Sequence, residues 1–546
     1  MNPPTTQSEA KPPRYARALV ACSIAALVWA VAARVAGPSD LWDQRQPRTV
    51  SYTTDILVNG GSHWILPMEP GRRPATKPPL YNWMAAPAVK LLGFPSELGH
   101  KLPSVVALGL CWLVLVRAGR RLDAAEGEAL GWLAGLMLVA NYTFFKLGYL
   151  ARPDMVLTLW LMLGWLASTW LLVDWRRGAA PAGGGARLSP AAQRGLALGF
   201  WVCVGLAGLT KGPAALPLVV YAFIAARLVG GRWAALGALR WWWGLPLGLI
   251  MAGSWVYAAW WIDPVHVRQE LWSNEIVGRL TGLGPEGSRE GPIGLLKSAP
   301  NMPVYYLARF APWSLLSILA AGSLWRRVEA GGRRRWRTLG TLGAVLHGAA
   351  IFVIVVLALY TLSASKRADY IAAAFGPGAL LAAWWVVHGG LRLQARLPWV
   401  VPVFAAALLG LMTALNRFQW GTPTLEFSRT IGGFITDCDR MIRAEPHPVA
   451  FWRSGVTHVQ ALLGSTDPDI HERERQWARE LDGPAWVVAG RRTGPPYTFA
   501  ELAAEQSLPV RVERRRRSVP LPWHNIWHER FSLYLVTPVV DEAGSP

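Results

Sequence analysis

341-TLGAVLHGAAIFVIVVLALYTLS-363 carries no Asp, Glu, Lys or Arg, and this one run decides the class of fold. As a helix it is long enough to cross the ~30 Å of hydrocarbon in a bilayer. A helix is also the form in which such a run bonds its own backbone away from water. The dense basic run from Arg326 to Arg337 precedes it, and Lys366 and Arg367 follow it. Working outward, further apolar runs of roughly 15–22 residues lie near 17–36, 103–118, 129–147, 154–174, 197–209, 213–229, 241–261, 305–324, 367–388 and 397–415. The expected architecture is an all-α polytopic membrane protein with about eleven or more spanning helices. The apolar stretch 80–93, interrupted by Pro87 and Lys90, reads as a helix lying along the membrane surface.

Composition agrees. Of 546 residues, 52% are hydrophobic and 16% charged, where a soluble chain carries about 25% charged residues. The net charge of +21 does not indicate nucleic acid, because the arginines form no single basic face. They fall in short clusters between apolar runs, as in the cytoplasmic loops of membrane proteins. Cys22, Cys111 and Cys203 lie in apolar runs and Cys438 has no obvious partner, which fits neither a disulfide framework nor a thiolate metal site.

Placing the N-terminus, with Lys11, Arg14 and Arg17, in the cytoplasm sets the orientation. The clusters at Arg120 and Arg121, Arg176 to Arg194, Arg227 to Arg240, Arg326 to Arg337, and Arg392 and Arg396 then all fall on that same side. The first span has basic residues ahead of an apolar stretch, like a secretory signal, but its length and the spans that follow favour a retained anchor. The segment 178-GAAPAGGGARLSP-190 reads as a cytoplasmic linker. The opposite, outer face receives the loop 37–102, the turns at 148–153, 210–212 and 364–366, the loop 262–304, and everything after 415. This divides the chain into a membrane domain, 1–415, and a small extracytoplasmic α/β domain, 416–546. Strand-like 485-AWVVAG-490 and 532-SLYLVT-537 and a helical stretch near 456–463 mark the second. His458 and Asp467 to Asp469, within it, read as a solvated loop rather than a metal site.

The outer membrane edge carries charges. Lys77 sits in 76-TKPPLYNW-83, Arg152 and Asp154 in 150-LARPDM-155, Lys211 in 209-LTKGP-213, and Lys366 with Arg367 in 363-SASKRADY-370. A charge at the bilayer centre costs ~2.5–3.5 kcal/mol on insertion scales. Singly, these side chains read as snorkelling cations or, for Arg152 and Asp154, as a structural ion pair. Together, four separated segments bring cations to one membrane face, as a phosphate at the lipid surface requires.

These residues carry a resemblance. The loop 42-WDQRQPRTVSYTTDILVNGGSHWILPMEPGRRPATKPPLYNW-83 resembles the first periplasmic loop of the aminoarabinose and protein-mannosyl transferase group, GT-C fold enzymes that take a sugar from a polyprenyl phosphate. Arg48, Gly61, Trp64, Pro67, Lys77, Pro78, Pro79 and Trp83 match its pattern. The segments 150-LARPDM-155, 208-GLTKGPAALP-217, 274-NEIVGR-279, 305-YYLARFAPWS-314 and 363-SASKRADYI-371 follow in the expected order. The resemblance implies an undecaprenyl-phosphate-linked sugar donor and transfer at the outer face of the cytoplasmic membrane, usually with inversion. It places Arg48 and Lys77 on the lipid phosphate, with Arg152, Lys211, Lys366, Tyr305 and Tyr306 as further contacts, and Asp154 orienting the acceptor or a cation.

One departure bears on the chemistry. Aligned on Arg48, the family's acidic pair falls on Arg45 and Gln46. The nearest carboxylates are Asp43 and Asp40, and Asp43 is the favoured base, with Asp154 or Asp55 as alternatives. A neutral Gln46 removes a hard-cation ligand, so no tightly bound metal is expected, with a divalent cation left as the alternative. Two other readings stay open: a transporter of lipid-linked sugar, though the pseudo-repeats and broken midplane helices of that class are not evident, and a silent scaffold that binds the donor without turnover. The acceptor, whether lipid, glycan or protein, is not legible.

Overall fold

The computed structural model describes residues 14–41, 46–69, 73–123, 126–178, 187–277, 298–329, 340–363, 366–388, 397–418, 424–452, 457–466, 470–471, 473–490, 498–517 and 531–539. Asp43, Arg45, Asp467 to Asp469, the side chain of His458 and those of 274-NEIVGR-279 lie outside the described residues.

Among the described residues, eight helical stretches are long and apolar enough to cross a membrane, and nine if one bent pair counts as a span. The difference from the eleven sequence-read spans has local causes. The runs 197–209 and 213–229 fall in one stretch, Pro190–Leu228, and 129–147 divides into Gly127–Val139 and Tyr142–Leu147. The run 305–324 is the bent pair, Asn301–Arg309 and Trp313–Arg326 at 112°, and Pro312 stands at the break. On Trp241–Ile262, Leu249, Ile250, Tyr257 and Trp261 are exposed, a surface that only an apolar solvent makes favourable.

In chain order the elements of the first part are α1 (Arg14–Val35), α2 (Gln46–Asn59), a hairpin of β1 (Met68–Glu69) and β2 (Arg73–Pro74), α3 (Leu80–Leu92), α4 (Glu97–Leu122), α5 (Gly127–Val139), α6 (Tyr142–Leu147), α7 (Asp154–Gly178), α8 (Pro190–Lys211) and α9 (Leu216–Leu228). α3 occupies the stretch read as a surface helix, with Tyr81, Asn82, Ala85 and Val89 buried and Leu91 and Leu92 exposed. α4 and α5 approach until Gly119 and Gly131 touch. A Cβ on Gly119 would lie 2.6 Å from the Cα of Gly131, and one on Gly131 would strike the carbonyl oxygen of Val116. Small residues permit such close helix contact. Since backbone cannot step aside, Gly131→Val should cost at least ~1–3 kcal/mol. A lower thermal-unfolding midpoint of the detergent-solubilised protein, with less folded protein recovered, is the expected readout.

The C-terminal unit is a four-stranded sheet in the order β3 (Val449–Trp452), β4 (Ala485–Gly490), β6 (Phe531–Pro538), β5 (Val510–Arg517). β3 and β4 run parallel, and β6 is antiparallel to both its neighbours. One of its apolar clusters, around Phe434, Phe451, Trp486 and Phe531, also takes in Val50 of α2 and Ala151. Thr54 of α2 donates to the carbonyl of Ala461 at 2.9 Å. The sheet is thereby packed against the helix and the turn that carry Arg48 and Arg152.

Candidate active site

The turn at 148–153 is held by side chains from three helices. The Tyr81 hydroxyl of α3 and the Ser104 hydroxyl of α4 donate to the Leu150 carbonyl at 3.0 and 2.6 Å. The Ala151 amide donates to Oε1 of Gln46 at 2.8 Å. Gln46, fully buried, also donates to the Asp40 carbonyl at 2.6 Å. The amide standing at the family's acidic position therefore fastens the first turn of α2 to the turn that presents Arg152. Burial pushes the Tyr81 hydroxyl up, so it stays a donor.

Arg152 and Asp154, on either side of Pro153, are both buried. Arg152 contacts Asp154 at 2.8 Å and Asp369 at 2.9 Å. Burial alone would weaken its charge, and the two carboxylates more than offset that. Asp154 also receives Nζ of Lys211 at 2.5 Å. Lys211 is presented by a helix break: α8 ends there because Gly212 takes φ 58, a conformation natural to glycine, and Pro213 follows without an N–H. The ammonium lies 4.4 Å from the ring centre of Tyr370. The result is an alternating row, Lys211–Asp154–Arg152–Asp369, and Lys146 stands 4.0 Å from the far carboxylate.

Two cavities meet at Lys77, Pro78 and Lys211. The larger, about 350 Å³, is mainly apolar, with Leu216, Trp255, Val256, Leu359 and Leu362 in its wall. The smaller, about 60 Å³, is walled mostly by charged and hydrogen-bonding residues. Among its described lining residues are five cations, Arg48, Lys77, Arg152, Lys211 and Arg367, and one carboxylate, Asp154. An apolar chamber that opens on a cationic pocket matches a lipid tail joined to a phosphate. Among the described residues no group of three or more His, Cys, Asp or Glu side chains is placed to hold a metal ion.

The sequence-read residues divide. Arg48, Lys77, Arg152, Asp154 and Lys211 converge on the polar pocket. Tyr306 is corrected to a packing residue: its side chain is buried against Phe375, with its hydroxyl 2.8 Å from Ser317. Tyr305 is half-buried against the helical core and lies outside both cavity walls. Lys366 donates to Ser298 at 2.8 Å, and Arg367, its neighbour, is the cation that lines the pocket. Asp55 is committed elsewhere, accepting from the Met68 amide and meeting His63, each at 2.7 Å. Asp40 is likewise committed, to Arg34 at 2.6 Å and Lys101 at 2.5 Å. Burial alone would raise its carboxyl, but Lys101 and Arg34 hold it well below the usual carboxylate range. Sequence reading missed Asp369, the end of the charge row, and Tyr370, the ring beside Lys211, although both stand in 363-SASKRADY-370, and an aspartate opening an apolar helix was the available signal.

No family model matches the chain. The undecaprenyl phosphate-alpha-4-amino-4-deoxy-L-arabinose arabinosyl transferase 1 of Pseudomonas fluorescens is 26% identical over 454 residues, 78% of this chain and 70% of the relative. The crystal structure of ArnT from Cupriavidus metallidurans bound to undecaprenyl phosphate superposes with a TM-score of 0.64 at 17% identity, covering 97% of this chain and 99% of that one. Its apo state gives 0.62 at 18% identity, over 95% and 97%. The fold is that of the GT-C membrane glycosyltransferases, on a multi-pass membrane chain. Within that class the architecture is the one ArnT has, matched through both the helical part and the C-terminal sheet.

Proposed function

We propose that this chain is an integral membrane glycosyltransferase that moves a sugar from undecaprenyl phosphate, or a similar polyprenyl phosphate, to an acceptor at the outer face of the cytoplasmic (inner) membrane. The observation that carries this reading is the junction at Lys77 and Lys211 of a 350 Å³ apolar cavity with a pocket lined by five cations. The prenyl tail occupies the first and the phosphate the second. Residues 1–415 form the transferase domain, with the N-terminus cytoplasmic, and 416–546 an extracytoplasmic domain. The acceptor is a lipid, glycan or protein group bearing a hydroxyl or phosphate.

The acceptor oxygen attacks the anomeric carbon opposite the departing phosphate, inverting it, and the bond from that carbon to the phosphate oxygen breaks. Negative charge gathers on the phosphate, and Arg48, Lys77 and Lys211 lie where it can be stabilised. Asp154 holds Arg152 and Lys211, and a carboxylate engaged by two cations is better suited to fixing them than to taking a proton. Glu69 and Asp369 are also ion-paired. The base is therefore assigned to Asp43, five residues ahead of Arg48.

The test uses the full chain in nanodiscs with radiolabelled undecaprenyl-phosphate sugars. Sugar transfer with release of undecaprenyl phosphate, lost in Asp43→Asn and Lys77→Met, is the expected result. Donor binding without turnover would make the chain a scaffold, and net movement of intact donor across the bilayer a transporter.

A further inference from the structure

We propose that Glu69 is a positioning residue that locks Arg48 and the hairpin leading to Lys77 into one rigid phosphate-binding unit. The proposal rests on the glycosyltransferase reading above and deepens it.

Residues 48, 52 and 55 are spaced i, i+4, i+7 and so share one face of α2. All three grip β1. Arg48 pairs through Nε with the carboxylate of Glu69. The Tyr52 hydroxyl donates to the same carboxylate at 3.3 Å. Asp55 accepts the amide of Met68 at 2.7 Å. β1 is in turn registered on β2, Met68 against Pro74 and Glu69 against Arg73. The Ala75 amide closes the hairpin on the Pro67 carbonyl at 2.8 Å, and His266 Nε2 donates to the Ala75 carbonyl at 3.0 Å. Lys77 follows two residues later.

The two cations come from different segments, yet Glu69 touches one and sits in the hairpin that delivers the other. Arg48 needs such a partner, since its side chain is 36% exposed while that of Glu69 is 14% exposed. A long side chain at a pocket rim has many rotamers, and holding it before the ligand arrives removes that cost from binding. Tyr52 lines the polar pocket, so the same carboxylate orders two of its walls.

The ligand for the test is undecaprenyl phosphate itself, titrated into the full chain in nanodiscs. Glu69→Gln keeps a hydrogen-bond acceptor for Tyr52 and removes only the charge, and should weaken binding about tenfold. Glu69→Asp should recover part of the loss. In an Arg48→Ala background, Glu69→Gln should have an effect no larger than about twofold, because the arginine it positions is gone. A purely structural carboxylate would instead give the same loss in both backgrounds, and that outcome overturns the proposal. So does tighter binding by Glu69→Gln, which would mean that the carboxylate merely competes with phosphate for Arg48. If wild type binds and the Glu69 variants bind equally well, only the role of Glu69 falls. If wild type does not bind undecaprenyl phosphate, the glycosyltransferase reading falls and takes this one with it.

Discussion

Lys211→Met lowers the rate of sugar transfer by about 10²–10³-fold. Lys211 stands where the two cavities meet, and the proposed function puts the donor phosphate beside its ammonium, at the point where the prenyl tail begins. Charge on that phosphate rises as its bond to the sugar breaks, and a cation there acts most strongly on the transition state. The loss should therefore fall on kcat and kcat/KM together, with little change in the donor KM. Lys211→Arg should not restore the rate, because a planar guanidinium cannot replace a compact ammonium in contact with both Asp154 and the Tyr370 ring. Initial rates of undecaprenyl phosphate release, with folding checked by thermal unfolding, decide the matter. A rate within threefold of wild type would remove Lys211 from the site.

Asp154→Asn should be the more damaging change to the fold. Asp154 has a side chain 3% exposed and carries both Arg152 and Lys211, whose side chains are 6% and 10% exposed. Removing one member of a buried ion pair costs ~3–5 kcal/mol, because the partner charge stays behind in a poor solvent. Asp369 still holds Arg152, so the destabilisation comes mainly from the Lys211 side of the row. Adding Lys211→Met to Asp154→Asn should thus recover part of the unfolding midpoint while transfer stays lost. A double variant less stable than Asp154→Asn would show that the two residues do not share one electrostatic unit.

The contrast between Gln46 and Arg48 shows how far the sequence could go. Both lie at the start of one helix, and the motif pattern matched Arg48 and flagged Gln46 as a departure. Arg48 does line the polar pocket, but nothing in its neighbourhood in sequence pointed to Glu69, which is brought to it only by the hairpin. The departure at Gln46 has a structural meaning that pattern could not supply, since its partners are a carbonyl in the segment before α2 and an amide 105 residues away. Lys366 and Arg367 make the same point at single-residue scale: they are adjacent, and only the extended backbone ahead of the helical turn at Ala368 decides which one reaches the pocket.

Local chemistry was enough for the apolar helices, for the strands read at 485–490 and 532–537, and for the cations Arg48, Lys77, Arg152 and Lys211 that line one pocket. An uncharged run in hydrocarbon has one way to bond its backbone, and a short, continuous apolar run such as 485-AWVVAG-490 suits a strand buried on both faces. Which carboxylate holds which cation was decided elsewhere. The bonds that build the pocket join residues 57 and 217 positions apart, as in Lys211 with Asp154 and Arg152 with Asp369. Over such separations, ion pairing depends on a few ångströms set by helix packing, and no spacing along the chain encodes it.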